Sequence, residues 1–156
     1  MFEILEKFPS PGDIVFTDRG LYKHYGIYAG HNKVIHFAGP KGHEIDASKA
    51  DIIETSVEDF LKGDLLGVQD DGDRKPLPKR EIIRRAKSKL YSCKGDYSLL
   101  FNNCEHFANW CRYDEHTSSQ VEAGVKAAKV MLIAIGTGLL FGLNVAKRNK
   151  YFHNFF

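Results

Sequence analysis

Residues 25–39, "YGIYAGHNKVIHFAG", constrain the fold more than any other stretch. They hold two runs rich in β-branched and aromatic residues, about 25–30 and 33–38, around a short turn containing Gly30 and Asn32. That pattern predicts a β-hairpin and therefore an antiparallel sheet. Alternation then decides which side chains share a face. With a three-residue loop, Gly30 to Asn32, Ala29 pairs with Lys33 and Gly26 lies opposite His36. His24 and His36 then project from the same face as near-diagonal neighbours. A two-residue loop would turn His36 to the other face. The three-residue register also gathers the small residues Gly26 and Ala38 beside the two histidines, leaving room for a helix end and a substrate.

The rest of the chain reads as strands first and helices later. "SPGDIVFT" predicts a strand over 13–17, "ADIIETS" a second, "VEDFLKG" one or two helical turns, and "LLGV" a short strand. "DDGDRKPLP" is a polar, proline-punctuated loop. In "KREIIRRAKSKLY", Ile82, Ile83, Ala86 and Leu90 recur at helical spacing with basic residues opposite. There are no internal repeats. The expected class is α+β, an antiparallel sheet packed against helices.

The 156 residues suit one main domain, expected over 1–120. Three cysteines at irregular spacing, and a start with neither a basic n-region nor a long apolar stretch, argue against secretion and for a reducing, cytosol-facing protein. The net charge of +2 is unevenly spread: Lys126, Lys129, Lys147, Arg148 and Lys150 against Glu122 give the last 36 residues +4, which leaves −2 for residues 1–120. A near-neutral body argues against nucleic-acid binding, and the basic tail suits something anionic or apolar.

Within that tail, residues 130–143, "VMLIAIGTGLLFGL", carry no charge, and extension through Ala146 gives 17 residues. As a helix these would span about 26 Å, a little under the roughly 30 Å hydrocarbon core of a bilayer. A buried core helix is the plainer reading. However, the run is apolar all round, flanked by lysines, and followed by the aromatic "YFHNFF", which suits a membrane interface. The expectation is a C-terminal hydrophobic helix that anchors residues 127–146 in a membrane within a segment 121–156. Gly138 and Gly142 form a small-xxx-small pair suited to weak self-association.

"FNNCEHFANWCRYD", residues 101–114, carries the chemistry. Asn102 or Asn103 suits the N-cap of a helix over about 104–113, with Cys104, Phe107, Ala108 and Cys111 on one face. Phe107, Ala108 and Cys111 read as core. Cys104 occupies the end of that face, in a first turn whose free N–H groups and dipole favour a thiolate. A cysteine nucleophile needs a base, and the base an orienting partner. His24 and His36 are the candidates.

"NNCEHFANWCRYD" resembles the NCEHF box of the lecithin retinol acyltransferase-like family. "PGDIVF", "YKHYGIYAG" and "VIHFAGP" are similar to its N-terminal histidine block, in the same order. The small phospholipase A and acyltransferase branch shares the C-terminal hydrophobic segment. The likeness runs from about Pro11 to Tyr113 plus the tail. "CRYD" and a short link between His36 and Cys104 depart from the family pattern. The resemblance implies a circularly permuted papain-like, NlpC-type fold, with Cys104 as nucleophile, His24 as general base and His36 as the residue orienting it. It implies an oxyanion role for Tyr22; Asn103 is a second oxyanion or substrate candidate, and the Cys104 N–H a natural donor. Glu105 and His106 point away from the Phe107 face and are expected to be structural.

The implied reaction is thiol-dependent acyl transfer. Cys104 takes an acyl chain from a glycerophospholipid as a thioester and passes it to water or to the amine of phosphatidylethanolamine, with no metal or other cofactor. The expected location is a membrane with the catalytic domain facing the cytosol, together with a cytoplasmic fraction. Two other readings stay open: a cysteine peptidase or amidase on the same fold, and a non-catalytic, membrane-tethered interaction module. A zinc site from Cys104, His24, His36 and His106 is disfavoured, because no paired ligand spacing such as C-x-x-C occurs.

Overall fold

The structure, a computed structural model, describes residues 8–39, 49–92, 104–115, 119 and 122–131. In chain order its elements are β1 (Ile14–Asp18), β2 (Lys23–Gly30), β3 (Lys33–Ala38), β4 (Asp51–Ser56), α1 (Val57–Leu61), β5 (Gly67–Val68), α2 (Lys79–Ser88) and α3 (Cys104–Tyr113). The strands form one sheet in the order β4-β3-β2-β1-β5. Every pairing is antiparallel. The class is α+β, as the strand-then-helix order predicts.

Alternation gives the sheet two covered faces. Ile14, Tyr25, Ile27, Ile35, Phe37 and Ile52 form a core with Ile82 and Ala86 of α2 and with Cys104, Phe107, Ala108 and Cys111 of α3. The opposite face buries Val15 and Val34 under Phe60 of α1. α1 is short but well capped. The Ser56 hydroxyl oxygen accepts from the Asp59 amide at 3.0 Å, and Lys62, left-handed at φ 52°, donates its N–H to the Glu58 carbonyl at 3.0 Å.

The hairpin corrects one expectation in an instructive way. Its turn has two residues, His31 and Asn32, at φ 50° and 59°, so that Gly30 rather than Ala29 pairs with Lys33. A plain two-residue turn would have flipped His36. A bulge between Tyr28 and Gly30 absorbs the extra residue, Ala29, and restores the pairing of Gly26 with His36. Close approach also demands glycine at position 26: a Cβ there would lie 2.5 Å from Val34 Cγ1 and 3.0 Å from His36 Cβ.

The chain divides into two compact units, residues 1–119 and 120–156. In the second, residues 122–131 are helical and exposed. The rest of the apolar run, with Gly138, Gly142 and the aromatic end, lies outside the described residues. Among the described residues no helix is long and apolar enough to cross a membrane.

Candidate active site

His24 and His36 meet because of the register. Gly26 faces His36 across β2 and β3, and His24, two residues earlier, shares its face. Their Nε2 and Nδ1 atoms are 2.9 Å apart, with ring planes near perpendicular at 84°. A third group continues the chain: His36 Nε2 lies 2.9 Å from Thr55 Oγ1, whose hydroxyl donates to the Ser56 carbonyl at 3.2 Å. With the hydroxyl proton assigned to that carbonyl, one self-consistent set of tautomers can be written. His36 Nε2–H donates to Thr55, and His24 Nε2–H donates to His36 Nδ1. The lone pair left over is on His24 Nδ1.

α1 closes this face. The Phe60 ring stacks on His24 at 5.2 Å and 29°, and meets His36 edge-on at 5.0 Å and 82°. The enclosure shows in the protonation. Burial first, then His36 and the positive charges of Arg19 and Lys62, lower the pKa of His24 from 6.5 to about 3. Burial likewise lowers that of His36 to about 4. Both rings are neutral near pH 7, the form a general base requires.

Cys104 is the first residue of α3, and only 2 % exposed. Its sulfur lies 3.9 Å from the Lys23 carbonyl, at the peptide that leads into His24. Among the described residues no hydrogen bond joins it to either imidazole. The reason is alternation: α3 packs on the face of Tyr25 and Ile27, whereas His24 points to the face covered by Phe60. The structure therefore brings the two histidines together and sets the sulfur at the end of the same strand without joining them.

The thiolate expectation is also corrected. Burial raises the Cys104 pKa from 9.0 to about 11, although hydrogen bonds from the Tyr25, Glu105 and Cys104 backbones pull the other way. At rest the group is a thiol. The N–H groups that were expected to ionise it are present but do not offset the loss of water.

Tyr22 is 50 % exposed, its ring edge-on to His24 at 6.5 Å. Asn102 and Asn103 lie outside the described residues. Glu105 is buried, its carboxylate accepting from the Ser119 amide and hydroxyl at 3.2 and 2.7 Å. Cys111 is fully buried in the core, where burial pushes its thiol well up. Among the described residues no group of three or more His, Cys, Asp or Glu side chains is arranged to hold a metal ion. Thr55 and Phe60 are the two site residues that sequence reasoning missed. The one available signal was alternation along β4, and it needs the register of β4 on β3 before it points to Thr55.

The lecithin retinol acyltransferase family model matches residues 7–117, a span that takes in both histidines, Thr55, Phe60 and Cys104. The chain belongs to this family. Among relatives of the lecithin retinol acyltransferase family, phospholipase A and acyltransferase 3 of Mus musculus is 33 % identical over 155 residues, covering 91 % of this chain and 94 % of its own. Phospholipase A and acyltransferase 1 of Homo sapiens is 30 % identical over 155 residues, covering 92 % of each. Lecithin retinol acyltransferase of Mus musculus is 33 % identical over 144 residues, covering 78 % of this chain and 62 % of its own.

Proposed function

We propose that the protein is a thiol-dependent phospholipid acyl hydrolase and acyltransferase, acting through Cys104, His24 and His36. The observation that carries the reading is the chain His24–His36–Thr55, which leaves a neutral imidazole with its Nδ1 lone pair uncommitted on the strand that the Cys104 sulfur touches. The names of the relatives supply the reaction class.

In this reading His24 Nδ1 takes the Cys104 proton as the sulfur attacks an ester carbonyl of a glycerophospholipid. His36, fixed by Thr55, accepts the His24 Nε2–H and steadies the imidazolium. The tetrahedral oxyanion takes a hydrogen bond from the Cys104 N–H, with Tyr22 and, from the sequence, Asn103 as the further candidate donors. His24 returns its proton to the leaving alkoxide, giving lysophospholipid and an acyl thioester. Water, or the amine of phosphatidylethanolamine, then gives up a proton to His24 and attacks the thioester, releasing a fatty acid or an N-acylated lipid and the thiol. The reaction requires Sγ and Nδ1 to come within roughly 3–3.5 Å, which from opposite faces of β2 takes a shift of the first turn of α3 or of the Lys23–His24 backbone on substrate binding.

Three further features belong to the same proposal. The arrangement is a permuted papain-like one, supported by the order of the histidine hairpin before the cysteine helix. Residues 127–146 anchor the protein in a membrane, with Gly138 and Gly142 available for weak self-association; the apolar composition and basic flanks support this. The catalytic domain then faces the cytosol, with a cytoplasmic fraction.

The test is release of fatty acid from phosphatidylcholine vesicles by the full chain, and of N-acylated lipid when phosphatidylethanolamine is added. Loss of both products in Cys104→Ser, with unfolding unchanged, supports the reading. Undiminished products in that variant refute it.

A further inference from the structure

Thr17 is the strand partner of His24 across β1 and β2, and directly opposed residues project from one face of a sheet. Alternation sets Thr17 with Val15 on the face that Phe60 covers, where the His24 ring stacks. The residue is 0 % exposed, and its Oγ1 is buried with no hydrogen-bond partner among the described residues. Leaving a buried hydroxyl unpaired is costly, and valine would fill nearly the same space without that cost. A polar orphan beside a reactive ring therefore points to a partner that appears in another state of the site.

The groups on this face narrow the choice of partner. Val15, Val34 and Phe60 are apolar, and Arg19 commits its Nη1 and Nη2 groups to the Phe60 and Leu61 carbonyls and to Asp64. His24 engages His36 through Nε2, which leaves Nδ1. In the neutral ring Nδ1 carries a lone pair and has no proton to offer Thr17. Once the ring takes up a proton there, Nδ1 becomes a donor, and burial, His36, and the positive Arg19 and Lys62 all oppose the charge that results. We propose that Thr17 is a positioning residue for His24, its Oγ1 accepting the Nδ1–H of the imidazolium between proton uptake from Cys104 and proton return to the leaving alkoxide. No bond to Thr17 forms or breaks: the proton passes from sulfur to Nδ1 to the alkoxide oxygen, and the hydroxyl oxygen holds it meanwhile by a hydrogen bond. Opposed residues have Cβ atoms roughly 4.5–5.5 Å apart, so a change in the tilt of the ring is enough to make the contact. The moment at which the charge arises rests on the proposed reaction, whereas the pairing of Thr17 with protonated His24 does not.

The experiment compares Thr17→Val and Thr17→Ser with the parent in the full chain. It reads kcat and KM for fatty acid release from a soluble short-chain phosphatidylcholine, urea unfolding, and the titration of His24 by NMR of histidine-labelled protein. Thr17→Val is expected to unfold at the parent's urea concentration or a higher one, to lose about tenfold in kcat with KM unchanged, and to protonate His24 at a lower pH than the parent. Thr17→Ser, which keeps the hydroxyl, is expected to retain the parent's kcat and His24 titration. The inference is overturned if Thr17→Val keeps the parent's kcat, if Thr17→Ser loses as much as Thr17→Val, if Thr17→Val unfolds at a lower urea concentration, or if His24 titrates at one pH in all three proteins. A parent that releases no fatty acid would refute the proposed reaction instead, and the titration would still decide the pairing.

Discussion

His24 Nε2 and His36 Nδ1 face each other at 2.9 Å across the first two strands of a hairpin whose turn, taken alone, would set them on opposite faces. The bulge that takes up Ala29 is what reconciles a two-residue turn with a shared face. The meeting of the two rings therefore depends on a backbone irregularity five residues from the nearer histidine as well as on the rings themselves.

Thr55 Oγ1 holds His36 Nε2 at 2.9 Å, and in the proposed reaction it sets the polarity of the histidine pair. In Thr55→Val the buried His36 Nε2–H loses its acceptor, which should cost about 1–3 kcal/mol of stability. A misorientation worth about 1.4 kcal/mol in the transition state lowers kcat about tenfold. A merely structural role would lower stability without moving kcat, and Thr55→Ser, which retains the hydroxyl, should restore both. Steady-state kinetics on a soluble short-chain phospholipid, with urea unfolding alongside, separates these outcomes.

The buried histidines also fix the direction of the pH dependence. Their pKa falls from 6.5 in the unfolded chain to about 3 and 4 in the native state, so between these values the unfolded chain binds more protons. Stability is fully present above about pH 6.5 and is lost as pH falls toward 3, at up to ~1.4 kcal/mol per pH unit for each proton taken up. Urea midpoints at pH 7, 5 and 4 should drop for the parent, and drop less steeply for His24→Phe.

Gly26 tests the close approach of the strands. The Cβ of Gly26→Ala would meet Val34 Cγ1 at 2.5 Å and His36 Cβ at 3.0 Å, so either the pair must spread or both side chains must shift. Overpacking of this kind costs about 1–3 kcal/mol. Because the displaced residue is His36, kcat should fall further than the change in stability alone requires. Gly124→Ala, with nothing within 4 Å of the added Cβ and no positive φ, is the control for a methyl added without a clash.

How much of this was legible beforehand follows from the range of each interaction. The hairpin, the bounds of α3 and the common burial of Phe107, Ala108 and Cys111 rest on periods of two and 3.6 residues, which are local properties. The bulge at Ala29 was hidden because Gly, His and Asn suit both turn lengths. Thr55 and Phe60 were hidden because they reach the histidines only through the pairing of β4 with β3, across 19 residues of chain from His36 to Thr55. The state of Cys104 was misjudged because the first turn of a helix was read without its surroundings. Burial by the sheet outweighs the dipole, and no one-dimensional pattern reports that balance.

The most direct test of the account is the mass of the intact protein after brief exposure to phosphatidylcholine. The account predicts a gain equal to one acyl chain, mapped to Cys104, discharged by phosphatidylethanolamine, absent in Cys104→Ser and strongly slowed in His24→Ala. Product formation with no acylated protein at any time, or an acyl group carried on another residue and retained in Cys104→Ser, would contradict it.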